Sequence, residues 1–424
     1  MTATSSPGGP VTAGVGTDVG TEVLADVAGR REEIVALCAD LVAAPSVNPP
    51  GDTRQVAGVV AAALGDRGID TRTEHTDPLM PSVLAGLDSG RPGAHLILNV
   101  HLDTMPPGDE AAWSVPVWEL TRRDGRLYGL GMGNMKGAVA AMVTAVDLLE
   151  QRRGDWPGRI TFAAVSDEVV FGDNGAAFLL RTHPDLLGDG LICGEGPGFE
   201  RLALGEKGVL WLRVTAVGDP GHSSSVRRGA SATARLAEAV RRVDDLTGRR
   251  GALPADLTAM ADLTGVPGDT GLELTVNVGT VAGGTFIGQV ATGATAELDL
   301  RLPPGLPADD AEQLVRDTLG DIPGIAVARI KGWDANWTSP DSALATSWQR
   351  AARTVRGAPH DPAVRLPASD ASRWRQRGVP ALCFGPQPTF SAGIDDHAEE
   401  DEVLRCAALY TLTALDFLHG TAGS

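Results

Sequence analysis

Three short apolar runs in this chain end in imidazole or carboxylate side chains, and no other feature constrains the fold as much. His95–Val100 (His-Leu-Ile-Leu-Asn-Val) leads into His101 and Asp103, Arg159–Val165 into Asp167 and Glu168, and Leu191–Cys193 into Gly194 and Glu195. Runs of this length bounded by turn residues read as buried strands. Between them lie helical patterns: apolar residues recur at helical spacing over Arg31–Ala44 and Thr53–Leu64, and Met135–Glu150 follows a glycine-rich turn as a strong helix. Strands alternating with helices predict an α/β fold, with a parallel or mixed sheet covered on both faces. In open sheets of this kind ligands bind beyond the carboxyl ends of the strands. Three strand ends are therefore expected to deliver His101, Asp103, Glu168 and Glu195 to one edge.

The middle of the chain has a different pattern. Gly208–Val217 reads as a strand, followed by Gly221-His222-Ser223-Ser224 and a helix over 230–246. Strands near 273–281 and 291–302, a helix near 308–319 and a strand near 324–331 complete the order β-α-β-β-α-β, a ferredoxin-like α+β unit. The first pattern resumes at about Ser342, so this unit reads as an insertion. A chain of 424 residues exceeds one ordinary core. The expected division is a leader over 1–22, a discontinuous domain over 23–205 and 334–420, and an inserted domain over 206–333. The leader, rich in Gly, Thr, Ser and Val without helical period, is expected to be disordered, and Gly248–Gly271 to be a loop.

Composition removes several classes of function. A formal net charge of −18 argues against nucleic-acid binding, which needs a basic stripe to neutralise phosphates. No run of 18 or more apolar residues exists to span a membrane, and the N-terminus lacks the basic-then-apolar pattern of a secretory signal. Cys38, Cys193, Cys383 and Cys406 are scattered among apolar neighbours without metal-ligand spacing. They are expected as small buried hydrophobes in a reducing, cytoplasmic setting.

Several short motifs recur in one order: His101-Leu-Asp103-Thr104, Leu127-Tyr-Gly129 leading into Asn134-Met-Lys136-Gly137, Asp167-Glu168, Gly194-Glu195, Gly221-His222-Ser223, Ser369-Asp370 and a late His397. Together, over about residues 30–418, they resemble the M20 metallopeptidase family, which includes acetylornithine deacetylase, succinyl-diaminopimelate desuccinylase and aminoacylase. The resemblance implies an α/β/α catalytic domain with a mixed sheet and an inserted dimerisation (lid) domain. It implies metal ligands at His101, Glu195 and His397. Glu168 would be the general base that moves a proton from water to the leaving amine. Asp103 would orient His101 through its other ring nitrogen. His222 would donate to the oxyanion of the partner subunit's site, which makes the expected assembly a homodimer through the inserted domain. Arg301 matches an arginine that holds a substrate carboxylate in some relatives, Asn134, Ser369 and Asp370 fall at the substrate pocket, and Lys136 opens a helix beside it.

The sequence departs from that family where the chemistry would be. The bridging Asp is Asn134, and the Glu expected after the general base is Val169. Two divalent ions ~3.5 Å apart repel by roughly 19 kcal/mol at an effective dielectric of 20. Of the three carboxylates that would offset this, Glu195 remains. The expected cofactor is at most one divalent metal, zinc by its affinity for such ligands. Gly288 replaces a pocket Asn after Gly283-Gly284, and Pro367-Ala368 precedes Ser369-Asp370 in place of a Gly-Gly pair, removing one backbone donor. Gly129-Leu-Gly131-Met-Gly133 is not a dinucleotide loop, since its third glycine position is Asn134.

Three functions are compatible with these residues. The first is amide-bond hydrolysis of a small N-acylated, amino-acid-like substrate. The second is metal-free condensation, lyase or isomerase chemistry with Glu168, Lys136, His101 and His222 as acid–base groups. The third is binding without catalysis. Retained buried carboxylates count against the last, because each costs several kcal/mol unless paired.

Overall fold

The computed structural model describes residues 17–196, 198–258, 271–387 and 393–421. These form two compact units. One comprises the chain up to Leu202 with Asp341–His360 and Arg377 onward, and the other Ala203–Pro340 with Asp361–Gln376.

In the first unit, helices α1 (Thr17–Gly29), α2 (Arg31–Ala43) and α3 (Arg54–Gly65) precede strands β1 (Thr71–Glu74), β2 (Ser82–Asp88) and β3 (His95–His101). A hairpin comes next, β4 (Thr121–Arg123) and β5 (Arg126–Tyr128), turning on Asp124-Gly125 with φ of 53° and 75°, the positive pair that matches strand twist. Then come α4 (Gly137–Gln151), β6 (Arg159–Val165), α5 (Ala176–Thr182) and β7 (Gly190–Cys193). The sheet runs β1-β2-β6-β3-β7 and then Ala381–Cys383. β6, β3, β7 and Ala381–Cys383 are mutually parallel, while β2 and β1 run antiparallel at one side. This is the mixed sheet the alternating pattern predicts.

Register places the site. His101 lies level with Val165 and Asn99 with Cys193, so the residues after β3, β6 and β7 emerge side by side. α4 is buried from Gly137 to Leu149, apolar nearly all round as a central helix must be, and it packs on the helix Glu400–Gly420. His397–Glu399 adds a third strand to the hairpin by pairing with β5.

The second unit contains β8 (Arg201–Glu206, entering at Ala203), β9 (Gly208–Val217), α6 (Ala232–Asp244), β10 (Thr275–Gly283), β11 (Gly293–Leu302), α7 (Ala308–Leu319) and β12 (Ile325–Trp333). β9 to β12 form an antiparallel sheet in the order β10-β11-β9-β12, the ferredoxin-like arrangement. Alternation sets its two faces. Leu210, Leu212, Val214, Leu298 and Leu300 pack under Leu236 and Val243 of α6 and Val315 of α7. Trp211, Arg213, Glu297, Asp299 and Arg301 project from the opposite face.

Three expectations change. Residues 17–22, assigned to the leader, belong to α1, because Val23 and Val27 bury one stripe of that helix; the rest of the leader lies outside the described residues. The second unit runs from 203 to 340 rather than 206 to 333 and also takes Asp361–Gln376. Ser369 and Asp370 therefore belong to it and not to the first domain, since the buried Glu206 side chain draws that segment in. Within 248–271, residues 255–258 are helical, and 259–270 lie outside the described residues.

Candidate active site

The glycine-rich turn is shaped by one carboxylate. Gly131 and Gly133 donate their backbone N–H groups to Asp396 at 2.7 and 3.1 Å, and Gly129 donates to the Asp396 carbonyl at 2.9 Å. Gly131 has φ of 85°, and a Cβ there would sit 2.5 Å from Thr104 Cγ2, so only glycine fits. The chain then makes a π-type turn over Met132–Lys136, with Asn134 extended (φ −137°, ψ 95°) and a cis Asn134–Met135 peptide. This turn, rather than the first turn of a helix, carries Asn134, and α4 starts two residues later than the periodicity predicts.

Asn134 thereby meets the strand ends. His101 Nδ1 lies 2.8 Å from the Asp103 carbonyl. A carbonyl only accepts, so Nδ1 carries a proton and Nε2 faces the other way. Nε2 lies 3.1 Å from Asn134 Oδ1, 3.4 Å from Glu195 Oε1 and 3.8 Å from Glu168 Oε2. His101, Glu168 and Glu195 are all buried, with ligand atoms within 4.8 Å of one another. Four lone-pair-bearing atoms thus converge on one point, where a cation, a proton on Nε2 or a metal ion, is well placed to meet them. Burial works against charge on His101, but Glu168, Glu195 and Asp103 outweigh it and raise its pKa to about 10.

Asp103 acts differently from the expected orienting acid. Its carboxylate is 3.7 Å from His101 Nδ1, and its own backbone carbonyl makes the contact with the ring. The carboxylate instead accepts the backbone N–H groups of Glu168 at 3.2 Å and Val169 at 3.0 Å, and the Asn48 side-chain amide at 2.9 Å. Asp103 therefore fixes the segment bearing Glu168, and Asn48, which also donates to Asp167 at 3.2 Å, ties the two turns together.

The other candidates make separate contacts. Lys136 is buried, donating from Nζ to the Ala44 carbonyl at 3.1 Å; burial pushes its ammonium down to about 7, opposed by Asp396. His397 falls outside the 4.8 Å group; its Nδ1 meets the Asp395 carbonyl at 3.0 Å and its ring packs on Tyr128. In the second unit, exposed His222 accepts the Ser224 backbone N–H at Nδ1, which leaves the ring proton on Nε2 in the neutral form. Arg301 is engaged by Asp299 through Nε and Nη2 at 2.9 and 2.8 Å, so the bidentate grip expected for substrate already holds a protein carboxylate. Ser369 donates from its backbone and hydroxyl to Glu206, and Asp370 is buried 3.5 Å from Arg373. Sequence reasoning missed Asn48 and Asp396. The latter had a signal, since it immediately precedes His397 in a site motif.

Comparison with known proteins agrees with this geometry. The model of peptidase family M20/M25/M40 matches residues 97–416, and the chain belongs to that family. It is 30% identical over 286 residues to the succinyl-diaminopimelate desuccinylase of Gluconacetobacter diazotrophicus, covering 63% of this chain and 66% of that one. It is 28% identical over 241 residues to the acetylornithine deacetylase of Proteus mirabilis, covering 57% and 58%. Less than two thirds of the length of either curated relative is thus matched. An M20 family metallo-carboxypeptidase from Sulfolobus solfataricus shares the fold, with a TM-score of 0.75 at 16% identity over 91% of this chain and 99% of that one.

A metal-dependent family raises the question of which ions these residues fit. One fits: the convergent donors His101, Glu195 and Asn134, with Glu168 beside them, have the spacing and chemistry of a single divalent site. Two do not fit, because Val169 offers no donor, Asn134 offers one neutral oxygen, and His397 stands outside the group.

Proposed function

We propose that this protein hydrolyses the amide bond of a small N-acylated amino acid, using one divalent ion at most. The supporting observation is the convergence of His101, Glu168, Glu195 and Asn134 on one point at the ends of three parallel strands. When bound, zinc supplies Lewis-acid polarisation of the acyl carbonyl and of water. His101, Glu195 and the Asn134 oxygen would hold it, with the His101 tautomer fixed by the Asp103 carbonyl. Glu168 takes the proton from the attacking water and delivers it to the departing nitrogen. Its backbone is braced by Asp103 for that transfer. We also infer a homodimer through the second unit, with His222 Nε2–H donating to the oxyanion of the partner's substrate, and a reducing compartment suited to four buried thiols.

A second reading rests on the same convergence. A proton on His101 Nε2 also faces the three oxygens, and the raised pKa of that ring supports metal-free acid–base chemistry at this point. Elemental mass spectrometry before and after dialysis against Zn²⁺ and Mn²⁺ separates the two. One tightly held ion per chain is the expected result and directs substrate screening to N-acyl amino acids. No ion after loading overturns the hydrolytic reading in favour of the metal-free one, and two ions overturn the single-site count.

A further inference from the structure

One strap of chain, residues 44–53 just past α2, is tied to three of the four turns that carry the site. Val47 forms a parallel bridge with Thr104, next to Asp103. Lys136, beyond the Asn134 turn, donates from Nζ to the Ala44 carbonyl at 3.1 Å, and the Thr53 and Ser166 hydroxyls meet at 2.6 Å. At the centre of the strap Asn48 is buried, and its side-chain nitrogen donates to Asp103 Oδ2 at 2.9 Å and to Asp167 Oδ1 at 3.2 Å. Both oxygens belong to carboxylates, so the amide is oriented with its N–H bonds towards the acids. Among the described residues neither acid pairs with a lysine or arginine. Asp103 otherwise accepts the Glu168 and Val169 backbone N–H groups, and Asp167 accepts the backbone and side-chain N–H groups of Asn174 at 3.1 and 2.8 Å. Like charges this close repel, and the Asn48 amide is the donor common to both. Asp167 directly precedes Glu168 and has φ of 65°, a left-handed backbone uncommon outside glycine. The peptide that carries Glu168 is therefore held from two sides, by Asp103 at its N–H and by Asp167 at its start, and Asn48 holds both acids.

We propose that Asn48 is a positioning residue for the hydrolysis, setting the place of the Glu168 carboxylate through Asp103 and Asp167; this rests on the reading of Glu168 as the base. Without the amide, two buried carboxylates lose their shared donor and one must turn away. If Asp103 turns, the Glu168 and Val169 N–H groups lose their acceptor. If Asp167 turns, the left-handed residue loses its anchor on the strap. Either movement shifts Glu168 relative to His101 and Glu195, which are placed by β3 and β7 and not by Asn48. A displacement of about 1 Å between reacting groups can cost about 10²-fold in rate. The loss therefore falls on turnover rather than on metal or substrate affinity.

Asn48→Leu keeps nearly the shape of the side chain and removes the donor. Asn48→Ser keeps one hydroxyl, enough for one acid but not both, and takes its place if the leucine variant does not fold. Two measurements on the full-length protein test the role: steady-state kinetics of the zinc-loaded enzyme on N-acetyl-L-methionine, and amide hydrogen exchange over Asp167–Val169 without substrate. In Asn48→Leu, kcat is expected to fall at least tenfold with KM within twofold and zinc content unchanged, and exchange over 167–169 to quicken at least tenfold. In a Glu168→Gln background the same substitution is expected to lower kcat no further. Wild-type kcat or wild-type exchange in the Asn48 variant overturns the proposal. So does an equal further loss in the Glu168→Gln background, which would show an effect not routed through Glu168. These outcomes leave the hydrolytic reading intact, whereas wild-type turnover in Glu168→Gln sinks that reading and the proposal with it. If the wild-type protein is inert toward the probe, the exchange measurement decides the brace alone.

Discussion

Two buried carboxylate clusters in this molecule have opposite electrostatic character. Around Glu206, donors and acceptors balance: the carboxylate receives the Ser369 backbone N–H and hydroxyl and the Arg375 guanidinium at 3.2 Å, and the Glu206 and Arg375 side chains have no exposed surface. Around His101, Glu168, Glu195 and the Asn134 oxygen all face one ring nitrogen. A buried ion pair with its hydrogen bonds complete is part of the scaffold. A buried cluster whose carboxylates hold one imidazole charged is a site where a metal cation can take the place of that proton. Family resemblance alone does not separate the two, because Ser369 and Glu168 both fall in family motifs. What each carboxylate faces does: a guanidinium at Glu206, one ring nitrogen at Glu168 and Glu195.

Substitutions that act on one cluster and not the other probe this contrast. The largest expected effect is on turnover: Glu168→Gln lowers kcat by about 10²–10⁴-fold with the unfolding midpoint retained, checked by steady-state kinetics and denaturant melts. Turnover close to wild type would show that the cluster is not catalytic. Next, Arg375→Met strands Glu206 and should cost about 3–5 kcal/mol in urea unfolding. Glu195→Gln, made in chelated protein, removes only one of the carboxylates around protonated His101 and should cost less, about 1 kcal/mol, while zinc retention falls. Equal losses in both variants would erase the distinction. A smaller effect separates the histidines. Burial, with Arg356, pushes His360 down to about 4, and burial, with Arg159, does the same to His95, whereas carboxylates hold His101 charged. His360 Nδ1 accepts the Trp348 indole N–H at 2.9 Å, a role open only to the neutral ring. The unfolded chain binds protons near 6.5 that the folded chain refuses. Stability from these two residues is therefore complete above about 6.5 and is lost as pH falls towards 4. Urea melts across that window, flattened by His360→Gln, check it.

The sequence made the strand ends legible because burial in a parallel sheet imposes short apolar runs, and the residues just past each run lie at the sheet edge. Likewise the β-α-β-β-α-β order over 208–333 defines its sheet through local periodicity. Contacts between distant segments leave no such trace. Nothing local to Asn48 shows that its amide bridges Asp103 and Asp167, 55 and 119 residues away. The family resemblance implied an orienting acid at Asp103, yet its carboxylate turns to the Glu168–Val169 backbone, because those largely buried N–H groups lie past the end of β6 and need an acceptor. Ser369 and Asp370 were assigned to the wrong unit for the same kind of reason, since their partners, Glu206 among them, are remote in sequence.

The brace of Gly131 and Gly133 by Asp396 has a consequence for synthesis on the ribosome. His101, Asn134, Glu168 and Glu195 are all translated within the first 195 residues, but the carboxylate that shapes the Asn134 turn arrives some 200 residues later. A nascent chain thus exposes the donors well before it can arrange them. The order of translation delays assembly of the centre until nearly the whole polypeptide has emerged.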